Sequence, residues 1–168
     1  MDWHVQRIAA SPVEVTFDCG EPSLNVFFHR YARINDSLGI GRTYVALEAQ
    51  SGRVAGYFTI SMGAVKSDAL PDAARKRLPR YPIPTAHIGR LAVDAVFQGR
   101  GLGRFLLVEA LSKALAASES VGVYAVDVVA LHDRAKVFYL KYGFLEMLDE
   151  PLHLFMPLGT VRRLLSSA

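Results

Sequence analysis

The feature that most restricts the fold is an apolar strand that ends in glycines and restarts as a helix. Residues 90–104 read Arg90-Leu91-Ala92-Val93-Asp94-Ala95-Val96-Phe97-Gln98-Gly99-Arg100-Gly101-Leu102-Gly103-Arg104. Glycine lets the backbone turn sharply and lets its N–H groups approach a ligand closely. The first helical turn leaves its N–H groups unpaired, and the helix dipole puts partial positive charge there. A chain that builds this element must supply a sheet edge before it and a packing surface for the helix after it.

The natural guest of such a turn is a phosphate or diphosphate, with Arg100 and Arg104 adding charged hydrogen bonds. A Walker loop would end in Gly-Lys-Ser/Thr, which is missing. The dinucleotide fingerprint G-x-G-x-x-G belongs on an early strand of a doubly wound unit, and here the glycines fall at 99, 101 and 103 in the second half of the chain. A glycine-rich turn alone reads only as a tight strand-to-helix connection.

The rest of the chain supplies context. Residues 4–10 read as a strand and 17–23 as turn chemistry. Ser23 can cap a helix carrying Leu24, Phe27, Phe28, Tyr31 and Ile34 at helical spacing, ended by Gly39 and Gly41. Strands over 43–49 and 54–65 join at Ser51-Gly52. A short helix over 72–78 precedes an extended stretch at 81–84, where proline disfavours helix. A strand over 86–93 leads into the glycine turn. A helix over 102–118 places Leu107, Val108, Leu111 and Leu115 on one stripe. A strand over 123–131, a helix over 133–142 stopped by Gly143, and strands over 145–148 and 152–156 complete the order. Helices alternate with strands only in the second half, so the expected architecture is α/β with a mixed sheet flanked by helices.

At 168 residues, one domain spanning 1–168 is expected. Hydrophobic residues make up 51% and charged residues 21%, which excludes a disordered or collagen-like chain. The single cysteine, Cys19, forms no internal disulfide, and the five histidines show no metal spacing. The start has no basic, apolar leader. Apolar runs fall far short of the ~18 residues of a membrane span. These features read as a soluble cytoplasmic protein with no metal and no membrane partner. Net charge is only +3, but between residues 66 and 90 six basic residues face two acidic ones.

Two motifs lift the glycine turn out of the ordinary. Gln98-x-x-Gly101-x-Gly103 resembles the acetyl-CoA pyrophosphate loop of the GCN5-related N-acetyltransferases (GNAT). Ala135-Lys136-Val137-Phe138-Tyr139-Leu140-Lys141-Tyr142-Gly143-Phe144 resembles that family's late helix motif, A-x-x-F-Y-x-x-x-G-F. The segments Phe17-Asp18-Cys19-Gly20-Glu21-Pro22-Ser23-Leu24-Asn25, Arg42-Thr43-Tyr44-Val45, Pro82-Ile83-Pro84 and Arg90-Leu91-Ala92-Val93-Asp94 resemble the family's branch of toxins from bacterial toxin–antitoxin modules. The likeness runs from about residue 8 to about 157.

The resemblance implies the acyl-CoA N-acyltransferase fold: a central, mostly antiparallel sheet with one splayed parallel pair, flanked by helices. It implies acetyl-CoA as cosubstrate, held by backbone groups of Leu91, Ala92 and Val93 and by Gln98, Gly99, Arg100, Gly101, Leu102, Gly103 and Arg104. It implies Tyr139 as the acid that protonates the departing thiolate, leaving Phe138 and Tyr142 to the core. It also implies aminoacyl-tRNA as substrate, acetylated on its α-amine with loss of translation, a ribbon-helix-helix antitoxin as partner, and a homodimer. Candidate tRNA contacts are Lys66, Arg75, Lys76, Arg77, Arg80 and Arg90, with Arg33 and Arg42 as additions. Read blandly, residues 75–80 are a solvated helix face.

Asp127, His87 and His132 are candidate general bases. A fourth reading needs none, because a free α-amine ionises near ~7.7–8.0 and an adjacent ester lowers that value. Two other functions remain open: an acetyltransferase of a small-molecule or protein amine, and a non-enzymatic binding module on the same fold. An acidic amine pocket would favour the first, and failure to bind acetyl-CoA the second.

Overall fold

The structure is a computed structural model describing residues 2–167; Met1 and Ala168, both included in the single-domain expectation, lie outside the described residues. Its strands, β1 (Trp3–Arg7), β2 (Arg42–Glu48), β3 (Val54–Val65), β4 (Ile83–Val93), β5 (Ala125–Val129), β6 (Leu145–Glu146) and β7 (His153–Pro157), follow the order β1-β2-β3-β4-β5-β7-β6. The chain divides into two compact units, Met1–Ser61 with Gly89–Ala110, and Met62–Ile88 with Leu111–Ala168.

In the first unit, β1 (Trp3–Arg7) pairs antiparallel with β2 (Arg42–Glu48), and β2 with β3 (Val54–Val65). The hairpin turns at Gly52, whose φ of 72° is the left-handed value glycine tolerates. The expected first strand is cut short because residues Ile8–Ala10 form a 3-10 turn. The first helix starts two residues earlier than a Ser23 cap would place it. Glu21 is the cap and Pro22 takes the first helical position, where its fixed φ suits the helix.

That helix is not uniform. α1 (Pro22–Val26) passes through a π-helical turn, Phe27–Tyr31, into α2 (Ala32–Leu38). One extra residue in the turn rotates all later side chains by about 100° around the axis. Phe27 and Phe28 are therefore buried, but Tyr31 and Ile34, expected on the same face, are half-exposed, and Ala32 and Asp36 take the inward positions. The core of this unit gathers Ile8, Phe17, Phe27, Phe28, Val45 and Tyr57. Tyr57 is fully buried, and its hydroxyl donates to the Leu24 carbonyl at 2.8 Å.

In the second unit, the start of β4 (Ile83–Val93) pairs parallel with β5 (Ala125–Val129). β5 pairs antiparallel with β7 (His153–Pro157), and β7 with the two-residue β6 (Leu145–Glu146). Val65, Leu70, Ile83, Met147 and Phe155 form its core. The helix expected over 72–78 closes early, as α3 (Asp72–Arg75). α4 (Leu102–Ala117) buries Leu106, Leu107, Ala110, Leu111 and Ala114, so its inward stripe is turned from the expected one and leaves Val108 and Leu115 half-buried. α5 (Asp133–Lys141) ends at Gly143, with φ 103°. α6 (Leu158–Ser166) buries Leu158 and Val161 and gives structure to a terminus for which the sequence suggests no role.

Gly56 on β3 decides how closely the first unit packs. A Cβ there would lie 2.8 Å from the Ala92 carbonyl oxygen and 2.8 Å from Leu106 Cδ1. The carbonyl belongs to a strand backbone and cannot swing away. Gly56→Ala should therefore destabilise the protein by about 1–3 kcal/mol, the usual cost of overpacking, measured by urea denaturation.

Candidate active site

The first unit holds the strand end and the glycine turn. β4 runs on to Val93, whereas its register with β5 ends at Ile88 opposite Val128, and β5 itself ends at Val129. The backbone of Leu91, Ala92 and Val93 thus extends past the end of its parallel neighbour. A strand end without a parallel partner suits an extended ligand bearing amides, which can pair as an added strand would.

Asp94 then stops the strand. Its buried carboxylate accepts from Val96 N at 2.9 Å and from Asp18 N at 3.0 Å. Its own N–H donates to Ala55 O at 2.8 Å, and Ala95 N to Asp18 O at 2.9 Å. Gln98 adds a brace: its Nε2 donates to Val93 O at 2.9 Å and Cys19 O at 3.2 Å. The side chain of Gln98 is therefore committed to the fold, which leaves its backbone amide for a ligand.

After this brace the chain turns at Gly99 and Gly101, with φ of 79° and 82°, and a Cβ at either would meet nothing within 4 Å. α4 follows at once, anchored by the buried Leu102. Open glycines, helix-start amides and the cations Arg100 and Arg104 make a donor set that fits a diphosphate. Arg100 also lies over the Phe97 ring, 5.6 Å from its centroid.

The front segment is a support for this end of the sheet. Asp18 Oδ1 accepts from Gly20 N at 2.9 Å and Asn25 Nδ2 at 2.8 Å, and Asn25 Oδ1 accepts from Cys19 N at 2.9 Å. Cys19 is a buried free thiol, pushed above its ordinary pKa by burial.

Three of the candidate tRNA cations serve the fold of this unit. Arg33 donates to the carbonyls of Ile8, Ser11 and Pro12 at 2.8–3.0 Å. Arg42 donates to Asp36 O at 2.6 Å and lies 3.6 Å from that residue's buried carboxylate. Arg90 stacks on the Phe27 ring, 3.7 Å from its centroid.

The second unit holds the remaining candidates. Tyr139 is only 5% exposed, set between the rings of Phe138 and Phe144 at 5.2 and 5.4 Å between centroids. Burial raises its phenol above the ordinary value, so the proton stays on. Phe138 and Tyr142, expected in the core, are half-buried and pack on each other at 5.1 Å, so the inward position of α5 belongs to Tyr139.

Lys66, Arg75, Lys76 and Arg80 line a groove of about 860 Å³ with Asp68 and Tyr81. Arg77 is not part of that lining. Arg75 is paired with Asp72.

A line of four ionisable groups also lies in this unit. His87 Nδ1 is 3.2 Å from Asp127 Oδ1, His153 Nε2 is 2.8 Å from Asp127 Oδ2, and His153 Nδ1 is 2.9 Å from Asp149 Oδ2. Burial pushes the Asp127 carboxyl up, but the imidazoles of His87 and His153 outweigh it and hold the group below its ordinary range. Burial likewise lowers His153, and its hydrogen bonds to Asp127 and Asp149 outweigh that and raise it. His132 is not part of the line. It caps α5, its Nδ1 accepting from Ala135 N at 3.1 Å. Among the described residues, no group of three His, Cys, Asp or Glu side chains could hold a metal ion, and no helix is long and apolar enough to cross a membrane.

A mixed sheet with one parallel pairing, a strand that outruns its parallel neighbour and an open glycine turn at a helix start define an acyl-CoA N-acyltransferase. Residues 39–146 match the acetyltransferase (GNAT) domain, and the chain belongs to that family. It is 36% identical over 160 residues to the tRNA-acetylating toxin of Mycobacterium tuberculosis, covering 95% of each chain. Among solved structures, AtaT complexed with acetyl-methionyl-tRNA is 29% identical, with a TM-score of 0.89 over 97% of this chain and 99% of that one. A tyrosine-to-phenylalanine mutant of AtaT, bound to the C-terminus of the antitoxin AtaR and acetyl-CoA, is 26% identical, with a TM-score of 0.84 over 98% of both chains.

The raised pKa of His153 makes stability depend on pH. Its contribution is fully present below the ordinary imidazole value of 6.5 and is lost as pH rises through the higher folded value. Thermal melts of the wild type and His153→Gln between pH 5 and 9 should show a gap that is widest at the acid end and narrows as pH rises.

Proposed function

We propose that this chain is an acetyl-CoA-dependent N-acetyltransferase, one catalytic domain, that acetylates the α-amine of an aminoacyl-tRNA and thereby blocks translation. The observation that carries the reading is the end of β4: strand backbone beyond the parallel pairing, followed by two open positive-φ glycines and a helix start. The substrate comes from likeness along nearly the whole chain to a tRNA-acetylating toxin and to AtaT, which is complexed with an acetyl-methionyl-tRNA.

Bound acetyl-CoA supplies the acetyl group as a thioester. The chain's residues supply position and protons. Backbone groups of Leu91, Ala92 and Val93 take the amide-bearing arm. The amides of residues 98–104, with Arg100 and Arg104, take the diphosphate. Binding energy from this remote end fixes the reacting end. Tyr139 keeps its proton and gives it to the departing sulfur. A thiol ionises near 8.5, below a phenol, so a passing thiolate is trapped only where the donor stands ready.

A tRNA acceptor end is polyanionic, and the groove of Lys66, Arg75, Lys76 and Arg80 offers cations beside an exposed aromatic ring, Tyr81. Such contacts are electrostatic and weaken with salt. We extend the proposal to a cytoplasmic homodimer restrained by an antitoxin of ribbon-helix-helix type; likeness to AtaT bound to the C-terminus of the antitoxin AtaR supports the antitoxin.

Acetyl transfer should be assayed side by side on charged tRNA, a polyamine and peptide amines, with charged tRNA strongly preferred. Tyr139→Phe should lower kcat by roughly 10²–10⁴-fold and leave the acetyl-CoA Kd within about twofold; undiminished turnover would remove the phenol from the mechanism. Replacing Arg75, Lys76 and Arg80 together by Gln should raise the tRNA Kd and flatten the slope of log K against log salt by about two to three, with acetyl-CoA binding unchanged. Arg77→Gln, outside the groove, is the control.

A further inference from the structure

The groove of the second unit sets one aromatic ring among its cations, and packing does not account for where that ring stands. Tyr81 is 67% exposed, more than any other aromatic side chain among the described residues. Among those residues it takes part in no hydrogen bond, ring pair or cation–ring contact. Its neighbours in the chain are held. Leu78 packs against the cluster of Val65, Leu70 and Ile83, and Ile83 itself, two residues past Tyr81, is 2% exposed. The segment is tied to the core on both sides, and the ring between the ties is left in solvent.

We propose that the Tyr81 ring is a stacking surface for an unpaired base of the RNA substrate, with Lys66, Lys76 and Arg80 taking neighbouring phosphates. The proposal rests on the tRNA reading and deepens it. It names the part of the RNA that the groove selects, a single-stranded end in place of a duplex.

Three observations carry it. The first is the anchored exposure just described. A single exposed apolar side chain is ordinary. Tyr81 differs because it lines a groove of about 860 Å³ and sits between two tied points.

The second is the backbone. Pro79 and Pro82 bracket Arg80 and Tyr81. Proline fixes its own φ and disfavours the helical region for the residue before it, so Leu78 and Tyr81 are both biased toward extended backbone. Residues 79–82 accordingly lie outside any helix or strand. A ring carried on a stiffened segment loses less freedom when a ligand covers it.

The third is the charge around the ring. Arg75 is paired with Asp72, but Lys66, Lys76 and Arg80 form no ion pair among the described residues. Asp68 is the one acid in the lining. A protein partner would also cover an exposed ring, but three uncommitted cations at its side favour a polyanion.

Cations and ring do different jobs on such a ligand. Lysine and arginine bind phosphates wherever they occur, on a duplex or a single strand. Cations alone therefore hold the body of an RNA as readily as its end. An aromatic face is selective. Inside a duplex each base is covered by its neighbours, whereas a base of an unpaired end has a free face that a tyrosine can cover. Stacking is indifferent to base identity, because every base has such a face. The ring thus favours unpaired ends without reading sequence, which suits an enzyme whose reacting amine is carried on one.

The test uses the whole chain and two uncharged RNAs of equal phosphate number, a blunt hairpin and a hairpin with a short unpaired 3′ end. The wild type should bind the second more tightly by about 5- to 100-fold, the range of one base stack. Tyr81→Ala should erase that preference and leave the blunt-hairpin Kd within about twofold. Tyr81→Phe should keep the preference, because the ring face carries the contact. Tyr81→Leu, apolar but without a π-face, should lose it. The slope of log K against log salt should be the same for the wild type and Tyr81→Ala, since no phosphate contact is removed. With charged tRNA as substrate, Tyr81→Ala should raise KM by the factor seen in binding. In the unsubstituted protein, 2-aminopurine placed in the unpaired end should be quenched on binding, a measurement that depends on no variant folding.

A wild type that binds both hairpins alike, a Tyr81→Leu protein that matches Tyr81→Phe, or an unquenched 2-aminopurine overturns the stack. A Tyr81→Ala protein that keeps the preference also overturns it and leaves the ring to a protein partner. Any of these, in a wild type that still acetylates charged tRNA, strikes the stack alone. A wild type that binds acetyl-CoA but neither binds RNA nor acetylates charged tRNA strikes the substrate reading as well, and the two failures are thereby told apart.

Discussion

The buried carboxylate of Asp94 is the constraint on which the rest of the first unit hangs. Past the end of its parallel pairing, β4 keeps a neighbour on one side only, and the chain must still be turned sharply at its end. Asp94 answers this at the first residue after β4. It binds Val96 N, which turns the chain, and Asp18 N, which ties the turn to the front segment. A hydrogen bond to a charged group is worth about 1.5–3 kcal/mol, and losing the acceptor would also strand two donors. Gln98 closes the same corner from the other side by holding Val93 O and Cys19 O. The glycines after it are mobile by nature, yet they hang between this corner and the buried Leu102, which limits the entropy a ligand must remove.

The two units answer different chemical demands. The first gathers backbone amides, two open glycines and the cations Arg100 and Arg104 at one helix start, and its precision is that of main-chain geometry. The second holds the groups that can move a proton. Burial alone raises the Tyr139 phenol above its ordinary value, so its proton is held without help from a neighbouring charge. The imidazole–carboxylate line works the other way, through partners, and its middle is tuned by charge on both sides.

What could be read from the sequence was local. The glycine turn, the helix after it and the aromatic helix stopped by Gly143 are each contiguous, with a physical signature at short range. What could not be read were the links between distant residues. Asp18 and Asp94 are 76 positions apart, and nothing near either one announces the other. Asp127 and His153 are 26 apart, so Asp127 could be seen to interrupt an apolar strand while its partner stayed hidden among the histidines. The π-helical turn at Phe27–Tyr31 defeated the periodicity argument, because one extra residue moves every later side chain around the helix. On α5 the 100° step from Phe138 to Tyr139 was legible, but that Tyr139 is the one turned inward, against Phe144, was not.

The fate of the basic residues shows why composition overstates an electrostatic surface. Arg33, Arg42 and Arg90 look like solvent-facing cations in sequence, yet each spends its guanidinium on a carbonyl cluster, a buried carboxylate or a ring face. Arginine suits such posts because its planar fork binds several acceptors at once and stacks well. Lys66, Lys76 and Arg80 are different: they line an open groove, and for Lys66 and Lys76 a compact ammonium on a flexible stem suits a phosphate better than a fixed carbonyl. A net charge of +3 is therefore a poor guide to the field a polyanion meets. What a polyanion meets depends on where the cations are held, and its reach is set by the ~8 Å screening length of physiological salt.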